Sequence, residues 1–196
     1  MQGNTVRTYR ESSLRRTRAT SRVLRVLPAR LRRYVGLNTT NESSSVQPYP
    51  HVYEVSAHGA PSGEVIVSAP RLETLRTAPP KEFGGPGDRW SPETLLAAAI
   101  ADCFVLTLRA LSRTAGVAWN GVDCRVEAVL ERADGITRFT RIVTQATLTV
   151  PMGTDEMAAR GLLERAESGC LIGNSLHAAR QLEAVIIVAQ PAPGDR

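Results

Sequence analysis

The chain has 196 residues, 42% of them apolar, 5% aromatic and 22% charged, with a formal net charge of +5. This length suits one domain of ordinary size with an extension, and the apolar share is enough for a core. No run of 18 or more uninterrupted apolar residues occurs, which argues against a membrane-crossing helix. Three cysteines are too few and too widely spaced for a secreted disulfide framework or a zinc ribbon, so a reducing, cytoplasmic compartment is expected.

The charge is unevenly placed. Residues 1–45 carry ten arginines against Glu11 and Glu42, a net of +8, which leaves −3 for residues 46–196. An arginine-rich, acid-poor tail bearing Ser and Thr has the composition of an organelle transit peptide, which would make organelle import the alternative localisation. The stretch SRVLRVLPARLRRYV reads as a basic amphipathic helix interrupted by Pro28. Against any functional arm stands the coding bias of the whole chain, where Lys81 is the only lysine beside 23 arginines. The expected organisation is a disordered or processed extension over residues 1–48, a folded domain over 49–190 and a flexible tail over 191–196.

In chain order, HVYEVSAHG, GEVIVSAP and RLETLRTA alternate like strands between Gly/Pro/Ser turns. PPKEFGGPGDRW follows as an irregular loop. Ser91 then caps a helix with Pro92 and Glu93 in its first turn, and Ala115-Gly116 ends it. From Leu95 to Leu111 that helix is apolar on nearly every face, so it is expected to be packed on several sides. Strands are expected near 121–132 and 137–150, joined at Ala133-Asp134-Gly135. A second helix should run from Thr154 and Asp155 to Gly169. Cys170 should open a further helical segment to about Gln181, and AVIIVA should close the domain as a buried strand. Strand runs flanking two helices, without βαβ alternation, give an α+β class.

The cysteines sit in unlike places. Cys124, in GVDCRVEAVL, alternates within a strand and reads as a small core hydrophobe. Cys103 stands where an alanine would serve. Cys170 opens a helix, where unpaired N–H groups lower a thiol pKa and favour the thiolate. His51, His58 and His177 lack metal-ligand spacing, so no metal is expected. GGPGDRW lacks the strand and the Lys-Ser/Thr ending of a phosphate loop, and no serine lies in a nucleophile elbow.

GGPGDRWSPETLLAAAIADCF, followed by AESGCLIGNSL, resembles the OsmC/Ohr family of thiol-dependent hydroperoxide reductases over roughly residues 50–190. The resemblance implies an intertwined homodimer in which a curved antiparallel sheet packs on central helices, with active sites at the interface. It makes Cys103 the peroxidatic thiolate and Cys170 the resolving thiol that closes a disulfide. Glu93 matches the glutamate that orients an arginine over the reactive sulfur. About 15 Å of helix separates Glu93 from Cys103, so either the helix entry bends or Glu93 serves the partner subunit. The family's arginine is missing from His58-Gly59-Ala60-Pro61-Ser62-Gly63, and Arg89 ranks first as its replacement, ahead of Arg71 and Arg76. No bound cofactor is implied. The reductant would be an external dithiol, lipoyl or thioredoxin-type, and the substrate an organic hydroperoxide.

Two functional classes follow. One is a thiol peroxidase with Cys103 attacking and Cys170 resolving, its apolar neighbours Leu95, Leu96, Ile100, Phe104 and Leu106 favouring alkyl or lipid hydroperoxides. The other is a noncatalytic dimer of the same fold that binds an apolar small molecule at its interface. A nucleic-acid protein rests only on the basic tail, and the acidic body argues against specific nucleic-acid binding.

Overall fold

A computed structural model describes residues 47–190. The basic extension expected at residues 1–45 and the tail at 191–196 lie outside the described residues. The chain divides into two compact units at His51/Val52. Of the first unit only residues 47–51 are described, where Tyr49 stacks on His51 at 4.6 Å.

The second unit opens with three short strands, β1 (Ser56–His58), β2 (Val65–Ser68) and β3 (Leu75–Thr77), in an antiparallel sheet of that order. These are the cores of the three expected strand runs, trimmed by their turns. A single 3-10 turn at Lys81–Phe83 interrupts the Gly/Pro loop. The loop returns to the sheet where Ala78 N–H donates to the Trp90 carbonyl at 3.0 Å.

Helix α1 (Pro92–Ala115) begins two residues after Trp90. Thr94 N–H donates to Ser91 Oγ (3.2 Å) while Ser91 N–H donates to Thr94 Oγ1 (2.8 Å), so each hydroxyl oxygen accepts an otherwise orphaned N–H of the other residue. Gly116, at φ 66°, ends the helix in the left-handed conformation. Ile100, Phe104, Leu108 and Ser112 are its buried residues, one stripe at a spacing of four. The expectation of packing on several sides is corrected within one chain: Leu106 is 51% exposed, and the other apolar faces are only partly covered. At 24 residues α1 is long and apolar enough to cross a membrane, yet its buried stripe packs against the rest of this unit.

Strands β4 (Gly121–Ala133) and β5 (Ile136–Val150) form the long hairpin. Its two-residue turn places Asp134 at φ 54° and Gly135 at φ 79°, both in the left-handed region that matches the twist of the strands. Helix α2 (Glu156–Ser168) follows, capped by Asp155 Oδ1, which accepts from Met157 N–H (2.8 Å) and Ala158 N–H (3.3 Å). A single turn, α3 (Leu171–Asn174), and strand β6 (Ala179–Val188) complete the fold.

β6 pairs with β5 in parallel. The expected absence of βαβ alternation is thereby corrected: β5–α2–α3–β6 is a crossover, and the second sheet is mixed rather than wholly antiparallel. The expected helix from Cys170 to Gln181 is also corrected, because Ala179–Gln181 already belong to β6. Ten paired positions along β5 outweigh the local helix preference of those residues. The buried closing strand expected of AVIIVA is corrected to one that alternates exposed and half-buried positions. Leu108, Leu148, Leu162 and Leu163 are fully enclosed where α1, α2 and the sheet meet. Each such side chain contributes about 1.5–3 kcal/mol on burial.

Candidate active site

Cys103 precedes the buried Phe104 on α1, and one helical step turns it away from the core stripe towards α3. Cys170 caps α3, accepting the Gly173 N–H at 3.4 Å, and is 3% exposed. Its thiol donates towards the Ile100 carbonyl, 3.9 Å away, one turn before Cys103. Ile100, Ile142 and Cys170 form a small buried cluster against which Cys103 packs. The structure therefore brings together the two cysteines singled out in the sequence, both as free thiols.

Their acidities move in opposite directions. Partial burial works against ionising Cys103, but the Ile172 N–H, the Cys170 thiol, the Leu171 N–H and the Thr107 hydroxyl together hold it below the ordinary thiol value. Burial pushes Cys170 up, and its hydrogen bond to Cys103 raises it further while the Gly173 N–H opposes. The helix-start N–H groups expected to lower Cys170 are present, from Gly173 and Ile172, but its burial outweighs them. The Ile172 and Leu171 N–H groups act on Cys103 as well. Cys124, on β4, is pushed up to about 11 by burial and by the neighbouring Cys170, in keeping with a structural thiol.

Glu93 and Arg89 lie elsewhere in the chain's geometry. Glu93 sits in the first turn of α1, ten residues from Cys103, and its Oε2 is buried without a hydrogen-bond partner. It joins Val65, Val67, Ala78, Phe83 and Leu95 around an apolar cavity of about 430 Å³ beneath the first sheet. Arg89 Nε donates to Glu64 Oε1 at 2.6 Å, and Arg76 Nη1 to Glu64 Oε2 at 2.7 Å. The two arginines thereby pull the Glu64 carboxyl below its usual range. Within one chain Arg89 is thus committed to Glu64 and Asp88, not to a cysteine.

Sequence reasoning passed over Thr107, which its position four residues after Cys103 on one helix face was enough to flag. The unpaired N–H groups at the start of α3 were foreseen for Cys170, but not that the Leu171 and Ile172 amides reach Cys103. Among the described residues no group of three or more His, Cys, Asp or Glu side chains is placed to hold a metal ion.

Comparison with known proteins adds to this geometry. Residues 85–184 match the family model described as OsmC-like protein. The uncharacterized protein YmaD of Bacillus subtilis (strain 168) is 28% identical over 107 residues, 53% of this chain and 71% of YmaD. Peroxiredoxin OsmC of Escherichia coli (strain K12) is 30% identical over 88 residues, 45% of this chain and 61% of that protein's length. An OsmC-like protein of unknown function from Vibrio cholerae O1 biovar eltor str. N16961 superposes with a TM-score of 0.64 at 13% identity, over 69% of this chain and all of that one. That likeness establishes the fold.

Proposed function

The chain belongs to the OsmC-like protein family, and from that premise we propose that it is a thiol-dependent peroxidase acting on organic hydroperoxides through Cys103 and Cys170. The observation that carries this reading is the contact between two free thiols, one held below and one above its ordinary pKa. A peroxidatic thiol has to be a thiolate at neutral pH, while a resolving thiol can wait protonated. The peroxiredoxin name of the Escherichia coli relative points the same way.

The Cys103 thiolate attacks the distal oxygen of the hydroperoxide. The O–O bond breaks, an alcohol leaves with a proton, and Cys103 becomes a sulfenic acid. The Cys170 sulfur then attacks that sulfenic sulfur, closing a Cys103–Cys170 disulfide and releasing water. An external dithiol of lipoyl or thioredoxin type reduces the disulfide and is itself oxidised. Leu171 (70% exposed) and Ile172 (37% exposed) present apolar surface beside the thiols. Covering such surface with a substrate tail gains about 25 cal/mol per Å², which favours alkyl over inorganic peroxide.

A homodimer belongs to the proposal. The apolar faces of α1 left partly uncovered in one chain are the surfaces a second copy would bury. Glu93 and Arg89 then serve the partner subunit's Cys103, with Glu93 receiving Arg89 once it leaves Glu64. The competing reading, a noncatalytic dimer that binds an apolar small molecule, draws on the cavity beside Glu93 and on Arg89 being held by Glu64.

Single-turnover consumption of cumene hydroperoxide by pre-reduced protein separates the two. The peroxidase loses two thiols rapidly and forms the Cys103–Cys170 disulfide, and Cys103→Ser abolishes both. Thiols that survive excess peroxide sink the enzyme reading in favour of the binder.

A further inference from the structure

Arg180 stands second in β6, on the side of the strand that Leu182, Ala184 and Ile186 also present inward. A strand that packs one face on a core calls for an apolar residue at that position. The guanidinium is instead held in a defined place. Its Nε lies 3.3 Å from Glu167 Oε1, and Nη1 donates to the Glu167 carbonyl at 3.4 Å. Both side chains are largely removed from solvent, at 24% and 20% exposure.

What Arg180 rests on is the turn that carries Cys170. A Cβ placed on Gly173 would lie 2.6 Å from Arg180 Nη1 and 3.5 Å from Cys170 Sγ. With the guanidinium seated there, any larger residue at position 173 would displace it. Gly173 is also the residue whose N–H binds Cys170 Sγ. Arg180, Glu167, Gly173 and Cys170 line one small gap of about 10 Å³ with Ile100 and Phe104 of α1. A planar fork that bonds a carboxylate and a carbonyl together fixes a direction as well as a charge, which a lysine does not.

We infer that Arg180, anchored by Glu167, is a positioning residue that holds the α3 turn, and with it Cys170 and the Leu171 and Ile172 amides, against Cys103. The inference rests on reading Cys103 and Cys170 as a reacting pair. It concerns how that pair is aligned rather than which peroxide it meets.

Two readouts on the full chain test it without any peroxide. The first is the rate at which diamide oxidises the two thiols to the Cys103–Cys170 disulfide, diamide taking up the two electrons and two protons as its hydrazine. The second is the pH profile of Cys103 alkylation by iodoacetamide, followed by peptide mass. Arg180→Met is expected to slow the disulfide about tenfold and Cys103 alkylation at neutral pH about threefold, the profile moving to higher pH. Glu167→Gln, which keeps the packing, should move both in the same direction by less, and Arg180→Lys should recover part of the loss. Unchanged rate and profile in Arg180→Met and Glu167→Gln, even with a lowered melting temperature, would overturn the inference. If Arg180→Met does not fold, Glu167→Gln decides alone. A wild type inert to cumene hydroperoxide would remove the peroxidase proposal and leave both readouts standing.

Discussion

Cys103 of α1 packs against the buried Cys170 that caps α3, whose thiol faces the Ile100 carbonyl at 3.9 Å. Their acidities move apart. N–H and O–H donors around Cys103 hold it below the ordinary thiol value. Cys170, 3% exposed, is pushed above it by burial.

Selective alkylation follows. Iodoacetamide at neutral pH should label Cys103 first, because its thiolate fraction rises with pH through a midpoint below the ordinary thiol range. Cys170 and Cys124 should lag until alkaline pH, since both are pushed upward. Peptide-resolved mass spectrometry across pH 6–10 (a range of about four units) reads this directly. Equal labelling of all three thiols would refute the assignment.

Thr107→Val removes a hydroxyl that helps hold Cys103 down while keeping the shape of the side chain. The expected result is Cys103 alkylation about threefold slower at neutral pH. Thr107→Ser should restore the rate, whereas a purely packing role for Thr107 predicts the reverse ranking.

Cys124 makes a statement about alkaline stability. Its folded-state pKa, raised to about 11, exceeds the value of an exposed thiol. The fold therefore retains a proton that the unfolded chain gives up. The contribution is fully present below the unfolded pKa and fades as pH rises towards about 11. Urea unfolding of Cys124→Ala should show a shallower loss of stability across that window than the wild type. Parallel slopes would contradict the shift.

Two substitutions gauge the scaffold. Leu148→Ala empties a site with no exposure at the junction of the sheet with the helices, and should cost about 2–5 kcal/mol. Ser91→Ala breaks the reciprocal cap of α1 and should cost about 1 kcal/mol. Denaturant melts of both variants provide the measurement, and a larger loss for Ser91→Ala than for Leu148→Ala would reverse the ranking.

Sedimentation tests the proposed dimer. The wild type should run as a dimer, and Leu106→Glu, placed on the exposed side of α1, should release monomers. A monomeric wild type removes the proposed role of Glu93 and Arg89 at a partner's cysteine.

Much of the fold was legible in the residues. Ser91, Pro92 and Gly116 bound α1, Asp134-Gly135 turns the hairpin, and Asp155 starts α2, because caps and turns depend on side chains only a few positions away. The end of α3 was not legible. Residues 179–181 have a helix-forming composition, and only pairing with Arg141–Val143, distant in sequence, makes them strand. The parallel register of β6 was hidden for the same reason.

The same division runs through the site. Local pattern set Cys124 apart as structural and noted helix-start N–H groups at Cys170, but it read Cys103 as a position where alanine would serve. The family resemblance, carried by two separated blocks, paired Cys103 with Cys170. How those N–H groups act is a tertiary matter: α3 packs against α1, so the Leu171 and Ile172 amides reach Cys103 as well, while Cys170 folds into the core, where burial outweighs the amides it receives. The sequence by itself determined the ends of α1, the hairpin turn and the start of α2, since caps and turns act over a few residues, and through the family resemblance it pointed to the two thiols. Only the tertiary structure decided the register of β6, the burial of Cys170 and the seat of Arg180 against Gly173, since these depend on through-space distances that no spacing in the chain encodes.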